Sequence, residues 1–223
     1  MKVLAIVPAR GKSKGIPEKN ITPLMGRPLI TYVLETALSL ENLDKIVVST
    51  DCNKIKCVVQ DYDVDIMHRS AELATDFASS VDVALEVVSS PKYQSYTHFI
   101  FLEPTSPFLE ARTIANCLTM FSAHKHIMTY KKVDGIYGAI KNNKFYPFIK
   151  GEARRRQDRL PKYKEVSALY GLKTSYFLRL RKLADDLAVP LILDDVEAWD
   201  INTLLDLKIA EAISQDRGKK NYD

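Results

Sequence analysis

Residues 3–20, VLAIVPARGKSKGIPEKN, decide the fold, because an apolar run leads directly into a loop rich in glycine and lysine. The run from Val3 to Val7 is continuous and rich in β-branched residues, which is typical of a central strand covered on both faces. In the loop, Gly11 and Gly15 let the backbone approach a ligand closely. The loop also carries four cations within ten positions: Arg10, Lys12, Lys14 and Lys19. Backbone amides and basic side chains together suit a triphosphate, so the loop predicts a nucleoside triphosphate site.

The spacing of this loop narrows the class of protein. It matches neither G-x-x-x-x-G-K-[ST] nor G-x-G-x-x-G, which disfavours a kinase or a dehydrogenase. A solvated basic surface turn is the alternative interpretation. The position of the loop directly after the first strand favours phosphate binding, because ligands gather at such strand ends in α/β proteins.

The rest of the chain alternates between strand-like and helix-like segments. Apolar residues recur at helical spacing in 29–40, 55–60, 81–89 and 202–213, and extended runs cover 44–50, 64–67, 190–195 and the stretch that begins at His98. This alternation predicts an α/β fold with a doubly wound, mostly parallel sheet. We expect a single domain spanning 1–223, with an insertion or arm at about 130–175, where the sequence becomes mixed, basic and aromatic.

Composition excludes several functional classes. Hydrophobic residues make up 46% and charged residues 27% of the 223 residues, which is typical of a globular protein. The net charge of +4 favours phosphates but is too small for a dedicated nucleic-acid-binding protein. No apolar run approaches the roughly 20 residues that a membrane span needs. The three cysteines show no disulfide or zinc spacing. We therefore expect a cytoplasmic protein with no nucleic-acid or membrane partner.

Five segments along the chain resemble, in order, the motifs of the cytidylyltransferases that make CMP-sialic acids and related CMP-nonulosonic acids. They are AIVPARGKSKGIPEKN (5–20), HRSAELATDFASS (68–80), FLEPTSP (101–107), RRRQDRLPKY (154–163) and AWDINTLLDL (198–207). The resemblance implies a Rossmann-like nucleotidyltransferase domain with a small insertion for dimerisation and sugar binding. It also implies a homodimer whose arms reach the partner's site. CTP and Mg²⁺ would be required, with Mn²⁺ as a possible substitute, and pyrophosphate would be released.

The resemblance also implies roles for single residues. The nucleotide-binding positions are Arg10, Gly11, Ser13, Lys14, Lys19, Asn20, Arg69, Asp76, Ser79 and Ser80. The catalytic positions are Arg10, Lys14, Lys19 and Asp200, of which the two lysines would neutralise the charge that builds on the leaving pyrophosphate. For Asp76 and Ser79 there is a second interpretation, because either side chain could cap the start of the following helix.

The acceptor and metal positions contain departures from the family pattern. The substrate-binding positions are Glu103, Thr105, Ser106, Arg155, Arg156 and Gln157, and the metal ligands are Asp200 and Asn202. Glu103 stands where the family usually has glutamine, and we hypothesise that it reads a different acceptor group or assists Mg²⁺. Asn202 stands where the family has aspartate, which removes one negative charge. Weaker Mg²⁺ binding is expected unless another carboxylate compensates, the candidates being Glu103, Asp194, Asp195 and Glu197.

The predicted reaction is transfer of CMP from CTP to the anomeric hydroxyl of a nonulosonic, sialic-acid-like sugar acid. Two alternatives keep the fold but change the acceptor to a sugar 1-phosphate or to 3-deoxy-octulosonate. A third, of another class, is a weakly active or inactive relative that serves as a nucleotide-binding partner protein. The replacement of the family's N-G-A segment by Val166-Ser167-Ala168 leaves the identity of the acceptor open.

Overall fold

Eleven strands and six α-helices make up the part of the chain that a computed structural model describes, residues 1–13, 15–74 and 79–220. The strands are β1 (Val3–Pro8), β2 (Pro23–Leu24), β3 (Arg27–Pro28), β4 (Lys45–Thr50), β5 (Asp65–His68), β6 (His98–Leu102), β7 (His126–Val133), β8 (Gly138–Lys141), β9 (Lys144–Pro147), β10 (Lys162–Lys173) and β11 (Val189–Leu193). The helices are α1 (Leu29–Leu38), α2 (Asn53–Val59), α3 (Ser80–Ser89), α4 (Ala111–Met120), α5 (Thr174–Leu180) and α6 (Leu204–Lys220). Short 3₁₀ turns occur at Lys19–Ile21, Ala71–Ala74, Pro91–Tyr93 and Arg156–Asp158.

Seven of these strands form one twisted sheet in the order β11-β7-β10-β6-β1-β4-β5. Strand β1 runs parallel to β4 and β6, β4 runs parallel to β5, and β7 runs parallel to β11. Strand β10 is antiparallel to both of its neighbours. The mostly parallel α/β sheet predicted from the sequence is therefore confirmed.

Helices cover both faces of the sheet. On β1, Val3, Ala5 and Val7 belong to a core that includes buried residues of α1, α2 and α4. The intervening Leu4 and Ile6 belong to a second core with residues of α3 and α5. Because both sides of β1 are covered, its apolar run is continuous rather than alternating.

The arm contains fewer residues in the structure than the range 130–175 that the sequence predicts. Strand β7 extends to Val133, and β10 begins at Lys162 and lies between β6 and β7 in the main sheet. Residues 134–161, which include the β8-β9 hairpin, are the part that lies outside this sheet. The pairing of β10 with β7 shifts register between Glu165 and Tyr170, and only the second half of β10 is buried. This irregularity interrupts the apolar pattern that would have identified a strand.

The polar loops of the predicted motifs meet at one edge of the sheet. Parallel strands β1, β4, β5 and β6 end at Pro8, Thr50, His68 and Leu102, and their carboxyl ends point the same way. Ligands of open α/β sheets bind outside this edge. Within the described ranges, no helix combines the length and apolar character that would let it cross a membrane.

Replacing Leu34 by alanine should lower the free energy of unfolding by about 2–5 kcal/mol, because it empties a packed position on α1. Leu34 is 0% exposed, whereas Leu187 is 77% exposed and provides the matched control. The Leu187→Ala change should alter stability by less than about 0.5 kcal/mol. Denaturant unfolding of both variants measures the difference, and equal effects would contradict this assignment of the core.

Candidate active site

A cavity of about 460 Å³ opens at the carboxyl edge of the sheet. Its walls combine the loop after β1 with the loops that follow β5 and β6 and with the segment before α6. The lining residues are Pro8, Arg10, Ser13, Gly15, Lys19, Asn20, Arg69, Leu73, Ser80, Val83, Glu103, Thr105, Ser167, Asp200 and Asn202. We call this space the nucleotide cavity, because it brings together most of the positions that the sequence assigns to a nucleotide.

The loop after β1 is held in shape by its own backbone and by the next strand along the sheet. Asn20 is buried, and its Nδ2 donates to the carbonyl of Arg10 at 3.0 Å. The amide of Gly11 donates to Asp51 Oδ1 at 2.9 Å. A side chain at Gly11 would meet Cys52, with the two Cβ atoms 2.7 Å apart. Gly11 packs against Cys52 and is not among the residues that line the cavity, so its nucleotide contact stays a prediction.

Glycine is required at position 15 for a different reason. Here the loop lies directly against the segment before α6. A Cβ atom at Gly15 would overlap the carbonyl oxygen of Asn202. The loop therefore reaches the predicted metal segment only because this position has no side chain. Lys14, which the sequence places beside Gly15 as a phosphate ligand, lies outside the described residues.

Lys19 projects into the cavity and contacts the predicted metal segment. Its Nζ donates to Asn202 Oδ1 at 2.9 Å. Burial lowers the pKa of the Lys19 ammonium, while the negative charges of Asp200 and Glu103 oppose that change. An ammonium group so placed can neutralise further negative charge in the cavity.

Arg69, which directly follows β5, forms part of the cavity wall and is bonded to the end of β4. Its side chain is buried, and its Nε and one terminal nitrogen donate to Ser49 Oγ at 3.2 Å and to the Ser49 carbonyl at 2.9 Å. Burial lowers the pKa of the guanidinium, and the charges of Asp51, Glu86 and Glu103 counteract it. The two bonds to Ser49 hold the guanidinium in one orientation.

Ser79 caps the start of α3, which is one of the two roles that the sequence allows for it. Ser79 Oγ accepts from the amide of Asp82 at 3.1 Å, and Asp82 Oδ2 accepts from the amide of Ser79 at 3.3 Å. This reciprocal pair is a capping box. Ser80 lines the cavity and Ser79 does not, so the capping role of Ser79 is observed while its nucleotide contact stays a prediction. Asp76 lies outside the described residues.

The FLEPTSP segment divides its side chains between the cavity and the interior. Glu103 and Thr105 line the cavity. Burial, followed by the charge of Asp200, raises the pKa of Glu103 to about 7, while Lys19 and Arg69 act in the opposite direction. Ser106 is buried outside the cavity lining, and its Oγ has no hydrogen-bond partner among the described residues. The substrate contact of Ser106 stays a prediction, since its hydroxyl is buried and unpartnered among the described residues.

Asp200 and Asn202 lie side by side, as the alternating spacing predicts. Asn202 Nδ2 donates to Asp200 Oδ2 at 2.6 Å. Asp200 Oδ1 is buried and has no hydrogen-bond partner in the described structure. An unpartnered carboxylate oxygen on a residue that lines the cavity fits a hard cation such as Mg²⁺.

Three of the four carboxylates considered as replacements for the missing aspartate are engaged elsewhere. Asp194 accepts the amides of Val196 and Glu197, each at 2.8 Å. Glu197 accepts from the amide of Glu110 and the Thr113 hydroxyl near the start of α4. Asp195 lies 3.4 Å from the Lys131 ammonium. Glu103 is the candidate that lines the nucleotide cavity.

The predicted sugar-binding segment lies on the arm, away from the nucleotide cavity of its own chain. Arg156 and Gln157 line a separate space of about 1080 Å³ between the arm and strands β7 and β11, and the two linings share no residue. Arg156 Nε pairs with Asp134 Oδ2 at 2.7 Å. Arg155, at the start of the adjacent 3₁₀ turn, lines neither space. One chain therefore does not bring Arg155, Arg156 and Gln157 to the predicted nucleotide site.

A third space, of about 370 Å³, adjoins the nucleotide cavity. The two share Ser167, Asp200 and Asn202, and Lys131 and Lys164 line the far side. We call it the adjoining cavity. In the sequence, Ser167 stands out only as a departure from the family pattern. Its place beside the register shift of β10 brings it to the cavity, and the sequence gives no signal of that shift.

The fold and the cavity define an open α/β protein with a cationic pocket at the carboxyl edge of its sheet, and comparison with known proteins identifies its family. A family model described as cytidylyltransferase matches residues 4–148. The chain is 30% identical over 224 residues to pseudaminic acid cytidylyltransferase of Campylobacter jejuni, with 96% of each chain covered. The chain therefore belongs to the cytidylyltransferase family, and its resemblance to the CMP-nonulosonic acid synthetases is confirmed.

Of two further relatives, one has nearly the same length as this chain and the other is about twice as long. The chain is 27% identical to CMP-N,N'-diacetyllegionaminic acid synthase of Legionella pneumophila, covering 96% of this chain and 97% of that protein. It is 26% identical over 235 residues to N-acylneuraminate cytidylyltransferase of Escherichia coli O18:K1:H7, with 100% of this chain covered. It spans only 54% of the latter, about half of that relative's length.

Solved structures share the fold. A CMP:2-keto-3-deoxy-manno-octonic acid synthetase in complex with CTP superposes with a TM-score of 0.72, covering 97% of this chain and 100% of that one. A 4-diphosphocytidyl-2C-methyl-D-erythritol synthase from Anaerococcus prevotii gives a TM-score of 0.70, covering 96% of each. Both are 16% identical, so they show the fold alone, and the predicted Rossmann-like architecture is confirmed.

The capping role of Ser79 predicts an effect on stability. Ser79→Ala should lower the free energy of unfolding by about 1 kcal/mol, because the amide of Asp82 loses its acceptor. Ser79→Thr keeps the hydroxyl and should retain most of the stability. Thermal or denaturant unfolding compares the two variants, and an unchanged stability of Ser79→Ala would contradict the capping assignment.

Proposed function

We propose that the protein transfers CMP from CTP to the anomeric hydroxyl of a nonulosonic, sialic-acid-like sugar acid and releases pyrophosphate. The observation that carries the proposal is the meeting of two cavities at Asp200. One contains Arg10 and Lys19 of the loop after β1, and the other opens beside it with room for a second substrate. The names of the relatives, which include sialic, pseudaminic and legionaminic acid enzymes, support a cytidine nucleotide and a sugar acid as the substrates.

The reaction is an in-line displacement at the α-phosphorus of CTP. The anomeric oxygen forms a bond to that phosphorus, the bond to the oxygen shared with the β-phosphate breaks, and the hydroxyl proton passes to solvent. Lys19, with Arg10 beside it in the cavity wall, offsets the charge of the departing pyrophosphate. Arg69 and Ser80 line the part of the cavity left for the nucleoside. Positioning and electrostatics supply most of the acceleration in reactions of this type.

Asp200, through its unpartnered Oδ1, is the residue that would hold a divalent cation, Mg²⁺ or Mn²⁺ in its place. The cation would neutralise part of the negative charge of the triphosphate. We further propose a cytoplasmic location, supported by the free state of Cys52, Cys57 and Cys117.

A pyrophosphate-release screen tests the proposed reaction. CTP is incubated with sialic, legionaminic, pseudaminic and octulosonic acids, and in parallel each nucleoside triphosphate is incubated with sugar 1-phosphates. Release with CTP and a nonulosonic acid is the expected result. Pyrophosphate release only with octulosonate or a sugar 1-phosphate would show that the acceptor belongs to that class instead. CTP binding without release over a wide range of Mg²⁺ and Mn²⁺ would indicate a nucleotide-binding partner protein instead.

Lys19→Met should lower kcat/KM by about 100- to 1000-fold, because it removes the charge that stabilises the leaving group. Lys208→Met is the matched control, since Lys208 is an exposed residue of α6 outside the cavity lining. Steady-state kinetics of pyrophosphate release measure both variants. Equal rates for the two would exclude Lys19 from the reaction.

We also propose a homodimer in which the arm of one subunit completes the acceptor site of the other. The arm leaves large apolar side chains exposed in one chain, with Ile140 at 77%, Phe148 at 74% and Leu160 at 70%. Such a concentration of exposed apolar surface is typical of an association site. Arg156 and Gln157, which do not face the nucleotide cavity of their own chain, lie on the same arm and are available to a second copy.

Phe148→Glu should convert the dimer to monomer, because it places a charge in the apolar contact. Leu187→Glu, at an equally exposed position outside the arm, should leave the dimer intact. Sedimentation velocity of the wild-type chain and both variants measures the oligomeric state. A monomeric wild-type chain, or dissociation by both changes, would argue against the arm as the interface.

A further inference from the structure

Asn202 makes two side-chain hydrogen bonds that together fix its orientation. Its Oδ1 accepts from the Lys19 ammonium at 2.9 Å, and its Nδ2 donates to Asp200 Oδ2 at 2.6 Å. An ammonium can only donate and an ionised carboxylate can only accept. The two partners therefore leave the Asn202 amide one arrangement, and an aspartate at this position could not satisfy both of them.

The backbone of Asn202 is held as firmly as its side chain. Its amide donates to Asp206 Oδ2 at 3.0 Å, and its carbonyl occupies the space that a Gly15 side chain would need. Asp206 also accepts from the amide of Thr203 at 2.7 Å, and the Thr203 hydroxyl accepts from the amide of Asp206 at 3.2 Å. This reciprocal pair caps the start of α6. The helix thus fixes Asn202, and Asn202 fixes Lys19 and Asp200.

Asp200 is left with one oxygen to offer a cation. Oδ2 is taken by the Asn202 amide, while Oδ1 is buried without a partner. Among the residues that the structure describes, no three His, Cys, Asp or Glu side chains converge as a metal site. The same cavity wall carries the positive charges of Arg10, Lys19 and Arg69. A bare divalent cation therefore meets one unpartnered oxygen of Asp200 and the buried carboxyl group of Glu103, opposed by several like charges.

We propose that Asn202 is a positioning residue rather than a metal ligand, and that Asp200 would hold a divalent cation at this site only when the triphosphate is bound. The inference rests on the proposed function and defines how that site is loaded. The phosphate oxygens would supply both the missing ligands and the negative charge that offsets the cavity cations. Mg²⁺ is commonly held in this way, by one or two carboxylates together with substrate phosphates.

Asn202→Asp provides the decisive variant. It would place a second carboxylate oxygen near Asp200 Oδ2, where the amide donor now lies at 2.6 Å. Two such carboxylates repel each other unless a cation lies between them. The variant should therefore acquire a cation site that needs no nucleotide.

The test measures binding of Mn²⁺ alone and of Mn²⁺ with CTP, using the electron paramagnetic resonance signal of free Mn²⁺ and the full chain without acceptor. In the wild type, CTP should tighten Mn²⁺ binding by about 10- to 100-fold beyond the binding of Mn²⁺ to CTP alone. In Asn202→Asp, Mn²⁺ binding without CTP should tighten by about tenfold, because the site gains a second anionic ligand. Asn116→Asp, which adds the same charge on the exposed face of α4, should match the wild type.

Nucleotide-free Mn²⁺ binding to the wild type with the affinity seen in the presence of CTP would overturn the inference, and loss of that binding in Glu103→Gln would identify Glu103 as the second ligand. Unchanged nucleotide-free binding in folded Asn202→Asp would also overturn it. If that variant does not fold by circular dichroism, the comparison of wild type with and without CTP decides alone. Failure of the wild type to bind CTP with any divalent cation would overturn the proposed function itself, and the inference with it.

Discussion

The parallel pairing of β1 with β4 on one side and β6 on the other is the constraint on which the site depends. The register pairs Leu4 with Lys45 and with Phe99, so the three strands end near one another at the same edge. Their following loops must then share one space. Two contacts show the consequence, since Asp51 after β4 accepts the amide of Gly11 after β1, and Ser49 at the end of β4 holds Arg69.

The charges of the nucleotide cavity are balanced across these loops. Burial lowers the pKa of Lys19 and raises that of Glu103, so each charged form is disfavoured by loss of water. Each also stabilises the charge of the other, and Asp200 acts on both. A partly buried site of this kind needs its opposite charges held at fixed positions. The Asn202 amide, which contacts both Lys19 and Asp200, provides that fixation for one cation and one carboxylate.

The sequence could predict the elements whose pattern is local. The apolar run of β1, the glycine and lysine loop and the paired spacing of Asp200 and Asn202 each identify themselves within a few residues. Strand β10 could not be identified in this way, because its first half is exposed and its register shifts between Glu165 and Tyr170. Burial of its second half comes from β6 and β7, which are distant in sequence.

Motif membership also could not separate residues that line the cavity from residues that support it. Gly11, Ser79 and Ser106 lie in three motifs, yet one packs on Cys52, one caps α3 and one is buried. A motif predicts where a functional loop lies. The contacts of each side chain in that loop also depend on elements elsewhere in the fold. Asn202 illustrates the same limit, since its residue type suggests a weakened metal ligand until Lys19 is seen to occupy its oxygen.

The two cavities are lined by different structural elements. Loops at a single sheet edge supply the nucleotide cavity, whereas the adjoining cavity is lined on its far side by Lys131 and Lys164. Lys131 also lines the space beneath the arm, so the acceptor side continues toward Arg156 and Gln157. Under the proposed function, the chemistry shared with other cytidylyltransferases resides in the sheet edge. The choice of acceptor then depends on β10 and the arm, where the sequence departs from the family pattern, and these regions can change without disturbing the bonds that hold Lys19 and Asp200.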